Sequence, residues 1–356
     1  MRRLFAFLLL AAAFAGFART AEAQDCLAQV WKGTMGAVPV TIEFTDEGED
    51  GALVGRYSYR TSLVDLLLMR DDAKPDRWKE LDPRGKVTGY LTLSCKENAL
   101  SGTWSSPDGS KTLPVTVEVQ PEGSFSKQRL DALKTTVTKR GAVGKSKYEL
   151  FKAQGFDSVT GLRLIGDGKT VADINGVLMD RFKSKLDEAI SCITTGRWRR
   201  GEDHGYEYES KMSMIAWNKA FVVIGESESQ YCGGIHPLNG SGATTYNLQT
   251  GKEEDVSQWL IDRYRKNIPK DSPLGKIIME LYSQEMEDSA EADECAGSVE
   301  LSGEYVWPAS EGITFQPSTS SYAESSCTND VNVPYESMSR YLSPLGKTNA
   351  QAFQSR

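Results

Sequence analysis

The sequence predicts an α+β protein: an N-terminal antiparallel β meander or small barrel, followed by a C-terminal part of mixed strands and helices. Three observations carry this expectation. Residues 26–120 alternate apolar and polar side chains and are broken by glycines at turn-like intervals. Apolar residues then recur at spacings of three and four from Val171 to Ile190, the signature of one amphipathic helix. The later strand and helix signals come in groups, without the regular alternation that a parallel α/β sheet requires.

The first 23 residues read as a signal peptide. Arg2 and Arg3 precede an uncharged apolar run, Leu4 to Phe14, and Ala21-Glu22-Ala23 offers the small residues of a cleavage site. That run is too short to be a good membrane anchor, which needs about 20 residues. Cys26 follows Ala23, Gln24 and Asp25, which is not a lipid-attachment context. No later segment is apolar enough to span a bilayer, so a periplasmic or secreted protein is expected.

From residue 24 to 120 the elements are strands. Val38, Val40, Ile42 and Phe44 alternate with Pro39, Thr41 and Glu43. Gly55 to Tyr59 places Tyr57 and Tyr59 on one face, and Ser106-Pro107-Asp108-Gly109 is a tight turn. Trp31, Trp78 and Trp104 are expected mainly as packing, with a ligand groove as the sharper alternative. Residues 121–150, rich in Lys, Ser and Gly, read as a connector with one short helix at Lys127 to Lys134.

Residues 151–345 form the second expected unit, divided at about residue 225. Its first part holds the amphipathic helix and a hairpin, Met212 to Ile215 and Phe221 to Ile224, turning at Asn218 and Lys219. The second part opens with Cys232-Gly233-Gly234-Ile235-His236-Pro237. A strand at Thr244 to Leu248 and a turn at Gln249 to Lys252 come next. Short helices are expected at Val256 to Tyr264, Leu274 to Met286 and Ser337 to Leu342, and strands at Gly312 to Phe315 and Val331 to Tyr335.

The chain of 356 residues carries a net charge of -8, which weighs against nucleic acid and anionic membranes as partners and permits a cationic one. Six cysteines, Cys26, Cys95, Cys192, Cys232, Cys295 and Cys327, are expected as disulfides in an oxidising compartment. Cys26 is expected to pair with Cys95, and the other four to pair within the C-terminal part. No CxxC pair and only two histidines are present, so neither a metal site nor any cofactor is expected.

The Cys232-Gly233-Gly234-Ile235-His236-Pro237 segment, with Thr250-Gly251-Lys252 after it, resembles the core motif of the extracytoplasmic domain of RsiV-type anti-sigma factors. This domain of unknown function is also found ahead of the catalytic module of a peptidoglycan deacetylase. The order Phe315, Pro317, Tyr322, then Val333-Pro334-Tyr335, is similar to the end of that domain, and the likeness covers about residues 145–345. Ile235 stands where the family usually has Ala. The resemblance implies an α+β domain that binds a protein, lysozyme in the RsiV-type members. The sequence lacks the transmembrane helix and sigma-binding segment of those sensors and the deacetylase module, so ligand binding alone is what the resemblance implies. The N-terminal β unit has no counterpart in that layout.

Catalytic chemistry finds little support in the sequence. His236 lies in a glycine-rich turn, where a structural hydrogen bond is commoner than general-base work. His204, within Glu202-Asp203-His204-Gly205, lacks the spacing of a metal ligand. There is no Gly-x-Ser-x-Gly elbow, and a disulfide would occupy Cys232. The acidic run from Glu285 to Glu294 reads as a solvated face or as a steering patch for a cationic partner. The expected function is therefore an exported, non-catalytic binding protein for a lysozyme-like protein or a cell-wall component such as peptidoglycan. Gly234, His236, Pro237 and Tyr246 are the expected ligand-binding residues. An accessory or hydrolytic enzyme of the cell envelope is the alternative.

Overall fold

The structure, a computed structural model, describes residues 27–354 apart from 47, 49–51, 60–62, 64, 83, 97, 122, 132, 201–205, 287–291 and 320–326. The predicted signal peptide, Cys26, His204 and part of the acidic run thus lie outside the described residues.

The N-terminal strands close into an eight-stranded antiparallel barrel. Its strands are β1 (Val30–Met35), β2 (Val38–Thr45), β3 (Val54–Tyr59), β4 (Leu66–Asp71), β5 (Lys74–Leu81), β6 (Val87–Lys96), β7 (Ala99–Ser105) and β8 (Thr112–Gln120). Each pairs with the next, and β1 closes on β8 from Val30↔Gln120 to Met35↔Val115. Closure removes the edges that an open meander would leave unpaired. At Gly33 the β8 backbone comes so near that a Cβ would sit 2.1 Å from the Thr116 carbonyl oxygen, so this strand position admits only glycine.

The barrel is filled by its own side chains. Trp31, Tyr57 and Trp78 are fully buried among Ile42, Phe44, Leu91 and Val117. The alternative of a groove lined by three tryptophans is therefore corrected: two of them are core. Trp104 is half-buried, and its indole donates to Glu80 Oε2 at 2.6 Å. The buried Glu80 carboxylate also accepts from the Tyr57 hydroxyl and, at 2.6 Å, from Thr88 Oγ1. Three donors satisfy a charge that the barrel would otherwise exclude.

The stretch expected as a connector is instead part of the second unit. After α1 (Ser124–Asp131), β9 (Thr135–Val143) and β10 (Ser146–Ala153) form a hairpin on the six-stranded sheet. Being an edge strand, β9 is exposed along most of its length and has few apolar residues, so its period-two signal is faint. The sheet order is β14-β13-β12-β11-β10-β9, with β11 (Phe156–Ile165), β12 (Glu207–Trp217), β13 (Phe221–Tyr231) and β14 (Leu238–Asn247). All neighbours are antiparallel except β11 and β12. Those two pair in parallel through only Val159↔Ser210 and Thr160↔Lys211. The long helix α2 (Lys169–Arg200) connects them, burying Ile174, Leu178, Phe182, Leu186 and Ile190 as the periodicity predicts. Asn218 Oδ1 accepts from the Ala220 and Phe221 amides, both at 2.8 Å, fixing the predicted β12–β13 turn.

The chain then runs through two 3-10 turns, Val256–Trp259 and Asp262–Tyr264, in place of the single short helix expected there. Helices α3 (Pro273–Glu285) and α4 (Ala292–Ser298) follow. Strands β15 (Val299–Glu300) and β18 (Ser318–Thr319) pair, while β16 (Val306–Pro308), β17 (Gly312–Phe315) and β19 (Val331–Pro334) form a three-stranded sheet. The terminal helix expected at Ser337 to Leu342 is replaced by a single turn, α5 (Tyr335–Met338), and a longer helix, α6 (Pro344–Gln354). Ser343 caps α6 by accepting from the Gly346 amide at 3.1 Å, and Pro344 sits at its first position.

Two disulfides, Cys192–Cys232 and Cys295–Cys327, lie within the C-terminal part as expected. Cys95 is also disulfide-bonded, and its expected partner Cys26 lies outside the described residues.

The barrel meets the second unit through a buried ionic cluster. Asp65, just before β4, is fully buried and accepts two hydrogen bonds from Arg129 Nη1, at 2.9 and 3.0 Å. Thr194 of α2 donates to Asp65 Oδ2 at 3.1 Å. Arg129 reaches on to Asp187 at 3.1 Å, and Arg56 of β3 lies 3.5 Å from Asp65 and pairs with Glu43. The Phe125 ring packs between the Arg56 and Arg129 guanidinium groups, 4.7 and 5.0 Å from its centroid. Removing one partner of such a pair strands a charge in a dry interface. Arg129→Met is therefore expected to destabilise the protein by about 3–5 kcal/mol. Adding Asp65→Asn is expected to restore part of that loss, measured as the urea unfolding midpoint. Equal midpoints for wild type and Arg129→Met would show that the cluster does not hold the units together.

Candidate functional site

The glycine-rich segment forms a loop between β13 and β14 at one end of the sheet. Gly233 and Gly234 adopt φ values of +97° and +106°, which side-chain-bearing residues rarely take. A Cβ on Gly233 would also lie 2.5 Å from the Tyr206 hydroxyl. Tyr206 packs edge-on against Tyr231, with centroids 5.8 Å apart, and the Tyr231 hydroxyl donates to the Gly234 carbonyl at 3.3 Å. The Cys192–Cys232 bond ties the base of the loop to α2, so the disulfide pins the helix to the sheet.

This anchored base presents an exposed tip. Ile235 is 90% exposed, His236 and Pro237 are exposed, and Leu238 at the start of β14 is 53% exposed. Three of the four expected ligand-binding residues, Gly234, His236 and Pro237, therefore share one surface loop. Tyr246 does not join them. It lies eight residues along β14 from Leu238, about 27 Å at strand spacing. There it is fully buried in the core under α2. Strand alternation puts Tyr246 on the inner face with Thr244, so its side chain faces the core beneath α2 and not the loop.

Near Tyr246 the structure builds a charged clamp that the sequence alone did not reveal. Arg181 of α2 donates to Glu226 of β13 at 2.7 Å, to Thr244 at 2.8 Å and to Glu253 at 2.6 Å. Lys185, one turn on, pairs with Glu188 at 3.0 Å and with Glu228 of β13 at 2.6 Å. The Tyr208 hydroxyl of β12 donates to Glu188 at 3.0 Å. On β13 this inner face changes from Val222 and Ile224 to Glu226 and Glu228, so the core becomes polar toward the loop. The spacing of Arg181, Lys185 and Glu188 on a helix and of Glu226 and Glu228 on a strand was the available signal.

Burial and charge explain the titration of this clamp. Burial pushes the Tyr246 hydroxyl up to about 12 despite the Arg181 guanidinium, and that hydroxyl has no hydrogen-bond partner among the described residues. Burial, with the Glu228 and Glu188 carboxylates beside it, raises the Tyr208 hydroxyl further. Glu188 is raised by burial, but the Lys185 ammonium and the Tyr208 hydroxyl outweigh this and hold it below the usual carboxylate range. These groups act as a structural clamp. Among the described residues, no three His, Cys, Asp or Glu side chains converge as metal ligands would.

A carboxylate lowered in the folded state stabilises the fold above its ordinary value and loses that contribution as the pH falls through the folded value. The melting temperature of the wild type is therefore expected to fall more steeply than that of Glu188→Gln between about pH 5 and pH 3. Parallel curves over that window would show that the clamp does not contribute.

No family model and no curated protein matches the chain. Among solved structures, it is similar to a DUF3298 family member from Bacteroides fragilis, at 14% identity and a TM-score of 0.38. That match covers 63% of this chain and 98% of the other. A DUF3298 family protein from Pseudomonas aeruginosa PAO1 aligns at 14% identity and a TM-score of 0.35, covering 60% of this chain and 95% of the other. Likeness of this size assigns neither a family nor an activity.

Proposed function

We propose that this chain is an exported, non-catalytic binding protein that engages its target through the Gly233–Pro237 loop. The observation that carries the reading is Ile235, 90% exposed at the tip of a loop held by a disulfide and two tyrosines. A lone exposed apolar residue is ordinary on a protein surface. One on a preorganised loop, beside His236 and the exposed Leu238, suits an anchor that enters a partner's pocket without a large ordering cost. Two left-handed glycines and the Tyr231 hydrogen bond limit the loop's freedom.

The proposed target is a basic protein of the cell envelope, a lysozyme being the expected example. The net charge of -8 favours encounter with a cation, and the sequence likeness to RsiV-type domains supports the same choice. Export is inferred from the N-terminal sequence, and two disulfides fit an oxidising compartment.

Titration calorimetry of the oxidised protein, residues 24–356, against a purified lysozyme tests the proposal. Binding is expected at low salt, weaker at physiological salt, with Ile235→Asp reducing affinity at least about tenfold. Absence of heat at either salt would overturn the lysozyme assignment. Unchanged affinity in Ile235→Asp would show that the loop is not the contact.

A further inference from the structure

The two edges of the six-stranded sheet are built differently. At one edge, β9 carries Lys139 and Arg140, both exposed, and charges of that kind block the addition of another strand. At the other edge, β14 begins Leu238-Asn239-Gly240-Ser241-Gly242-Ala243, with no charge and no proline. Residues 238–241 are exposed, and among the described residues nothing lies within 4 Å of where a Cβ on Gly240 or Gly242 would stand. This segment pairs with β13 on one side, from Leu238↔Gln230 to Gly242↔Glu226. Among the described residues, the side-chain hydrogen bond from beyond the sheet to this segment is Gln316 Nε2 donating to Ser241 Oγ at 2.7 Å. Near Ala243 the strand becomes covered, with Trp307 of β16 packed in the same cluster.

We propose that residues 238–242 of β14 form a homodimer edge, pairing antiparallel with the same segment of a second copy. The sequence of the edge selects this occupant. An isologous contact brings each residue near its own copy across the axis, so a charge in so short a segment would stand close to its like, and this one carries none. Pairing about Gly240 sets Leu238 against Gly242 and Asn239 against Ser241. The largest side chain thus meets the smallest, and the two strands approach closest at a glycine pair. The exposed part of Leu238 is covered in the process. The Gly233–Pro237 loop lies beyond the paired residues and Leu238 is shared between the two surfaces, so pairing and target binding are told apart at Gly240 and Ser241, which the proposed target contact does not use.

The test uses the full oxidised protein. Sedimentation velocity over a roughly hundredfold concentration range is expected to show the mass rising from monomer to dimer. Ser241→Lys, which places like charges across the axis, is expected to remain monomeric at every concentration, with an unchanged circular dichroism spectrum and melting temperature when dilute. Gly240→Cys supplies a second reading. Facing Cα atoms at the centre of an antiparallel pair lie about 4.5–5.5 Å apart, within disulfide reach, so a covalent dimer is expected on a non-reducing gel. The same cysteine at Lys139 on the opposite edge is expected to give none. A wild type that stays monomeric throughout, a Ser241→Lys variant that still dimerises, or equal crosslinking at both edges would overturn the proposal. Each readout is independent of lysozyme binding, so failure here and failure of the binding function are distinguishable.

Discussion

One buried carboxylate fixes how the parts of this protein meet. Asp65 has no access to water, and folding must supply the hydrogen bonds it gives up. Its donors come from different stretches of the chain: Arg129 from the helix after the barrel, Thr194 from the long helix under the sheet, and Arg56 from the barrel wall. None of these elements can move away without leaving a charge unpaired in an apolar setting. Hydrophobic contact alone would permit sliding between barrel and helix. The directional bonds at Asp65 permit one arrangement, at the expense of a desolvation penalty that apolar residues would not incur.

The same logic recurs at smaller scale. Inside the barrel, Glu80 is held by Tyr57, Thr88 and Trp104. Along the long helix, Arg181 and Lys185 hold Glu226, Glu228 and Glu253. In each place an apolar layer ends and a polar group with several hydrogen-bond or ion-pair partners begins. The sheet can thus extend past its own core and carry the Cys232–Pro237 loop outward, supported at its base by Tyr206, Tyr231 and the disulfide to the helix.

The elements legible in the sequence were those with a strong period. The barrel strands, the helix stripe from Ile174 to Ile190 and the Asn218 turn all follow from local spacing. The edge strand β9 was not legible because exposure on both faces erases the alternation that marks a strand. The last helix announces itself only through Ser343 and Pro344, since few of its residues are buried. For the candidate site, the sequence places Gly234, His236 and Pro237 together on one loop because glycine pairs and proline mark a turn. Tyr246 lies buried and apart from them for a reason that sequence cannot show. A strand alternates its faces, but which face meets the helix is decided by residues far away in the chain.

The parallel seam between β11 and β12 bears on how the chain folds in time. Strands β9 to β11 are joined by short turns, as are β12 to β14, so each trio can form from neighbouring residues alone. The two trios touch through Val159↔Ser210 and Thr160↔Lys211, partners about fifty positions apart. Closing that seam carries the entropy of a long loop and gains only two residue pairs in return. The long helix, once docked on one trio, shortens the search for the other. On these grounds the seam is expected to close after the two hairpin sets have formed, with the helix as the guide on which they meet.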